Sequence, residues 1–216
     1  MRNSSYGRLA GKEEAESIIT LAQQFKKNLN GRSFLICFGS KTLRFLEVSF
    51  SAGNFSHLAG IDKQNCRIKP REVYARATAG TLKPQDLGYS IVPKFKMKTI
   101  AAKFLNEFGS TATHVSAVNK HRSKVNAEIW IAGSKAGFAI GAIRIGSRKS
   151  GPVTFAPTSL QLLTDIELQE KSVGKVEPIA VILSRRNKEM SYSVIEFADE
   201  NLAEIHSSSL ASILLS

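Results

Sequence analysis

The stretch Ser33-Phe-Leu-Ile-Cys-Phe38, the break Gly39-Ser40, and the run Thr42-Leu-Arg-Phe-Leu-Glu-Val-Ser-Phe50 decide how the chain is read. Both runs are apolar, β-branched or aromatic, and a glycine interrupts them, so they form a β-hairpin. In the second run Leu43 and Phe45 share one face while Leu46, Val48 and Phe50 share the other, which places this strand inside a sheet. Cys37 lies within the apolar run and reads as a small buried hydrophobe.

Upstream, Ile18, Leu21, Phe25 and Leu29 repeat at helical spacing over Glu13 to Leu29 and stop at Asn30-Gly31. Downstream, Asn54-Phe-Ser-His-Leu-Ala-Gly60 reads as a loop at a strand end. Pro70 opens a short helix over Lys69 to Ala79, and Leu82 to Val92 is irregular. A second long helix runs from Pro93 to Phe108, with Met97, Ile100, Ala101, Phe104 and Phe108 as its stripe and Gly109 as its stop.

From Thr111 the pattern turns to strands: Thr113–Val118, Ala127–Ala132, Phe138–Ile145, Val153–Phe155, Glu177–Leu183 and Ser191–Phe197. Ala156-Pro-Thr-Ser-Leu160 reads as a break that starts a helical turn through Asp165, and the tail from Asp199 as a terminal helix. Helices followed by strands give an α+β fold: N-terminal helices packed on an antiparallel sheet of about four or more strands. The expected organisation is a loose segment over 1–12, one domain over 13–198 and a tail over 199–216.

Lys and Arg number 30 against 18 Asp and Glu, a net charge of +12. Such a charge suits an acidic partner, and nucleic acid is the favoured one over membrane. The longest apolar runs, such as Ile179–Leu183, fall far short of the roughly 20 residues a bilayer span needs. The first residues carry no apolar signal core, and two cysteines make neither a disulfide framework nor a zinc site, so a reducing cytoplasm is expected.

The phosphate loop, the dinucleotide fingerprint, the HExxH pair, the EF-hand loop and the GxSxG elbow are all missing from the sequence. Carboxylates are sparse and scattered, which disfavours a divalent-metal nuclease. Nucleic-acid cleavage without metal is open on RNA, where the 2′-OH is an internal nucleophile. It needs proton-transfer groups and cations around phosphorus.

His57, in the loop reading of Asn54–Gly60, is the first proton-transfer candidate; the alternative is a histidine bonded within its turn. His114 and His121 read as structural or solvated, and His206 as surface. Lys94 and Lys98 share one face of the second long helix, Lys96 and Lys103 another. Arg148-Lys149 and Arg185-Arg186 are turn clusters that could hold phosphate or keep a hairpin tip soluble. Arg144 stands inside a strand, and from that position it is assigned to the scissile phosphate. Tyr192 could stack on a base or donate to phosphate, and Thr158-Ser159 could present hydroxyls to an anion or act as a simple helix cap.

Phe45–Phe50 followed by Asn54-Phe-Ser-His-Leu-Ala-Gly60 resembles the strand plus N-F-x-H-L-x-G segment of phage- and prophage-associated nucleases with a barnase, EndoU, colicin and RelE-like fold. Pro157-Thr-Ser-Leu160 and the strands around Ile179–Leu183 and Tyr192–Ile195 are similar to the same group. The resemblance covers about residues 13–197. It implies metal-independent endoribonuclease activity that leaves a 2′,3′-cyclic phosphate, without cofactor, in a toxin or phage-conflict setting with an antitoxin or immunity protein. It carries His57 over as the motif histidine, Ser159 as the residue after the Pro-x pair, and Tyr192 as an aromatic of the last strand. Ala59 stands where threonine is the commoner residue of the family, which opens the alternative of a non-catalytic nucleic-acid binder.

Overall fold

The computed structural model describes residues 8–93, 95–105, 107–133, 137–147 and 152–214. The first long helix, α1 (Lys12–Asn28), carries Glu13 and Glu14 in its first turn and Lys26 and Lys27 in its last, both favourable to the helix dipole. The hairpin β1 (Arg32–Phe38) and β2 (Arg44–Phe50) follows as the alternation predicts. Next come α2 (Ala52–Leu58), α3 (Pro70–Thr78), α4 (Pro84–Leu87), α5 (Phe95–Leu105) and α6 (Phe108–Thr111). The strand-rich part holds β3 (His114–Val118), β4 (Ile129–Gly133), β5 (Phe138–Ser147), β6 (Val153–Leu162), α7 (Asp165–Glu170), β7 (Ser172–Arg186) and β8 (Val194–Ala198). Two short helices, α8 (Glu200–Ile205) and α9 (Ser207–Leu214), end the described chain.

The expected arrangement of helices on a simple antiparallel sheet is overturned. The strands run β1-β2-β6-β5-β4-β3-β7, and β7 pairs again with β1, so seven strands close into a barrel with β8 outside it. Two pairings cause the closure. β2 and β6 pair in parallel over Leu46–Val48 and Val153–Phe155, a contact that joins segments about a hundred residues apart. β7, fifteen residues long, pairs antiparallel with β3 through Ser172–Pro178 and with β1 through Ile179–Arg186. Closure leaves fewer free backbone edges than an open sheet would. Neither pairing has a local sequence signal: the parallel partners need a long crossover and not a turn, and the antiparallel partners of β7 lie far from it in the chain.

Three local expectations also change. Asn54–Gly60 is helical through Leu58, because Phe55 and Leu58 are three residues apart and both enter the core. Ala156–Leu160 continues β6 and starts no helix; the next helix begins at Asp165 under a Thr164 cap. Proline is tolerated there because Pro157 lies at the register shift opposite Gly141 and Ala142, beyond the last β2 partner of the strand. His206 joins α8 to α9 and is buried, not on the surface.

One core runs from the helices into the barrel. Ile18, Leu21 and Phe25 of α1 meet Phe34, Ile36, Val48 and Phe50 of the hairpin, with Ile140 and Leu160 across the barrel. Phe108 of α6 sits with its ring centroid 5.1 Å from Phe34 and 5.3 Å from Phe50, both edge to face. The alternate residues Leu35 and Cys37 face outward into a smaller cluster with Val181, Leu183 and Leu210. Cys37 is fully buried, and burial pushes its thiol up to about 12, so it is inert packing. Phe108→Ala removes the ring that ties the helices to the barrel. It is expected to cost about 3–5 kcal/mol in urea unfolding; a loss under about 1 kcal/mol would show that the two layers are not coupled through this ring.

Candidate active site

Most residues of Asn54–Gly60 have a definable structural job. Asn54 Oδ1 accepts from the Ser51 backbone N–H (2.8 Å) and hydroxyl (3.0 Å), which fixes the start of α2. Its Nδ2 donates to the carbonyl of Pro157 at 3.0 Å, so one side chain ties α2 to β6 across 103 positions of sequence. Phe55 packs against Phe25 and Tyr74 at centroid distances of 5.6 and 5.2 Å, and Leu58 and Ala59 are buried. Gly60 turns the chain at φ +74°, and a Cβ there would come within 2.8 Å of the Lys98 side chain. His57 alone in the segment is exposed.

Two lysines stand by that histidine. Lys98 of α5 donates Nζ to the His57 carbonyl at 3.2 Å, and Lys63 follows in the next loop. Burial first, then the charges of Lys63 and Lys98, hold the imidazole below the ordinary histidine range. It is therefore neutral at pH 7 and able to take a proton. Burial lowers the pKa of Lys98 and of Lys63 as well. Ala59, the departure from the familial threonine, faces the core between Leu58, Ala102 and Leu105, away from this cluster. A hydroxyl at that position would be buried, so the substitution leaves the His57 surface as it is.

The other site candidates are spread over the molecule. Ser159 lies on β6 opposite Gly141, two residues beyond the Asn54-bonded Pro157, so the two motif segments are brought side by side. Arg144 stands near the end of β5 opposite Phe155; its Nε is 3.9 Å from Glu128. Tyr192 precedes β8 and donates its hydroxyl to Glu47. No hydrogen bond or ion pair joins any two of His57, Arg144, Ser159 and Tyr192 among the described residues. Lys96 and Lys103 share a face as their spacing predicts and line a groove between α1 and α5 with Lys27. Arg186 is exposed beside Glu189, whereas Arg185 is buried. Lys94, Arg148 and Lys149 lie outside the described residues.

A family model described as phage-Barnase-EndoU-ColicinE5/D-RelE like nuclease4 matches residues 17–201. The chain belongs to this family. The phage nuclease match spans α1 to α8 and includes the whole barrel, the His57 segment and Pro157–Leu160. No curated protein and no solved structure matches the chain. Among the described residues of this family member, no helix is long and apolar enough to cross a membrane, and no three His, Cys, Asp or Glu side chains gather as a metal cage would require.

Sequence reading missed the most buried ion pair among the described residues. Glu47 of β2 meets Arg185 of β7 at 3.0 Å, with side-chain exposures of only 7% and 8%. Arg185 also donates to the Glu189 and Met190 carbonyls and lies 4.7 Å over the Tyr192 ring. Ser49 donates to Glu47 at 3.2 Å, and Ser33 joins Ser49 to Asn187. The sequence signal was a glutamate flanked on both sides by apolar residues, Leu46 and Val48. Burial pushes the Glu47 carboxyl up, but Tyr192, Arg185 and Ser49 outweigh it and leave it below the usual carboxylate range. Burial, then Glu47, pushes the Tyr192 hydroxyl up.

With the folded pKa of Glu47 below its unfolded value of 4.5, its stabilisation is complete above that pH and is lost as pH falls through the lower folded value. Glu47→Gln leaves Arg185 buried without its counter-charge and should cost about 3–5 kcal/mol at pH 7. Part of the acid-induced loss of stability should vanish with it. Chemical unfolding at pH 7 and pH 3.5 measures both; an unchanged pH profile in the variant would remove Glu47 from this role.

Proposed function

We propose that this phage-family nuclease is a metal-independent endoribonuclease with His57 at its chemical centre. The observation that carries the reading is His57 itself: the single exposed side chain of its motif, neutral at pH 7, beside Lys98 and Lys63. A neutral imidazole takes the proton of a ribose 2′-OH as the oxygen attacks the adjacent phosphorus. The P–O5′ bond breaks, and the products are a 2′,3′-cyclic phosphate and a 5′-hydroxyl. Negative charge that builds on the phosphorane oxygens is met by Lys98 and Lys63, and Lys98, with its lowered pKa, supplies the proton to the leaving oxygen. Ser159 stands on the strand that Asn54 holds against α2 and is a candidate hydroxyl donor to phosphate.

The net charge of +12 draws RNA in, and the Lys27, Lys96 and Lys103 groove continues the cationic surface along α5. Action on cellular RNA in the cytoplasm, as a toxin or in phage conflict with a cognate inhibitor, fits this chemistry.

Incubation with total RNA in EDTA should yield fragments with cyclic-phosphate ends, and His57→Ala should lower the rate about 10²- to 10⁴-fold while RNA binding persists. Cleavage that stops in EDTA, or that survives in the variant, would sink the proposal. Binding without cleavage under any condition would make the protein a binder. The base form of His57 is lost as pH falls through a pKa below 6.5, so kcat/KM should be level at pH 7 and fall on the acid side of that value. A rate that rises on acidification would exclude His57 as the base.

A further inference from the structure

The barrel has an open mouth that the catalytic reading does not use. It encloses about 680 Å³, and every residue lining it comes from β1 to β7 or from the turn before β2; no described helix contributes. That volume is of the size that holds small organic ligands.

Its chemistry is mixed in a specific way. Phe38 and Phe155 supply aromatic wall, with Leu46, Val115 and Val153 beside them. Val173 is 57% exposed, so apolar surface at the rim faces water. Arg44 lies 4.7 Å over the Phe38 ring and is ion-paired with Glu177, which holds that carboxylate at the opening. Arg144 is only loosely engaged: its Nε is 3.9 Å from Glu128, and its side chain is 55% exposed. Lys175 is exposed on the same rim.

We propose that this mouth seats one unpaired nucleotide of the RNA strand, the base against Phe38 and Val173 and the phosphate on Arg144 and Lys175. This deepens the ribonuclease reading and rests on it for the identity of the strand. Aromatic and aliphatic wall accepts the face of any base, and two exposed cations at the rim accept its phosphate. Glu177 accepts a hydrogen bond from a base amino group or a ribose hydroxyl. A base can enter such a recess only when unstacked, which selects single-stranded RNA over duplex. The mouth and the His57 helix flank the same strand: Phe155 of β6 lines the mouth, and Pro157, two residues on, receives the bond from Asn54. Arg144 then binds substrate away from the scissile phosphate, a different role from the one its strand position first suggested.

The test is titration of the ¹⁵N-labelled protein with 5′-AMP, 5′-UMP, inorganic phosphate and a single-stranded RNA hexamer. The nucleotides should shift amide resonances of Phe38, Lys175 and Glu177, and should bind more tightly than inorganic phosphate. The hexamer should bind more tightly than either mononucleotide. Arg144→Glu with Lys175→Glu should weaken nucleotide binding by about tenfold or more with an unchanged thermal melt. Both side chains are exposed, so the fold is expected to hold, and the shift mapping on the wild-type protein needs no variant. His57→Ala should bind mononucleotides as the wild type does, so the mouth stands or falls separately from the catalytic proposal. Shifts confined to the α1–α5 groove, phosphate binding as tight as nucleotide, a hexamer no tighter than a mononucleotide, or binding unmoved by the double variant would each overturn the assignment.

Discussion

The molecule depends on the pairing of one long strand with three others. β7 joins β3 along its first half and β1 along its second, and β8 lies on it as well. Each buried backbone group in these ladders must find a partner, and the closed ring supplies them. The hairpin that opens the sheet and the strands that end it are thereby held in one body, so the core can run without interruption from α1 and α6 into the barrel. The buried Glu47–Arg185 pair crosses between β2 and β7 over the intervening β1, which makes it a polar lock on the closure. Such a pair adds little net energy over an apolar replacement, but it strongly penalises arrangements that separate its members.

Closure also divides the molecule chemically. One region is filled by helices, and there the His57 segment is anchored by Phe55 and Leu58 below and by Asn54 on β6. A seven-residue helix has little stability of its own; its position comes from these three side chains. The other opening of the barrel has no described helix over it and keeps aromatic and cationic groups at its rim. β6 runs between the two regions, so the proposed nucleotide recess and His57 lie along one strand.

The motif segment shows how structural and chemical demands share a few residues. Asn54, Phe55, Leu58 and Gly60 are each required by a cap, a ring contact, burial or a positive φ. Their presence in the sequence therefore reports local architecture, and only His57 is left over for chemistry. Ala59 belongs with the first group, since its side chain packs in the core. Likewise Tyr192 and Arg185 stand out in the sequence as contacts for phosphate, yet their side chains are engaged with Glu47 and with each other.

The sequence by itself determined the long helices, the hairpin, the strand-rich second half, the basic charge and the family, because periodicity, turn residues and motif spacing are local quantities. His57 was legible as a candidate for the same reason. Its helical setting, its two lysine neighbours, the course of β6 through Pro157, the burial of Arg185 and the closed barrel were decided only in three dimensions. Each of those depends on contacts between residues far apart in the chain, such as Val48 with Phe155 or Leu35 with Leu183, and no local pattern encodes which distant strand will supply a backbone partner.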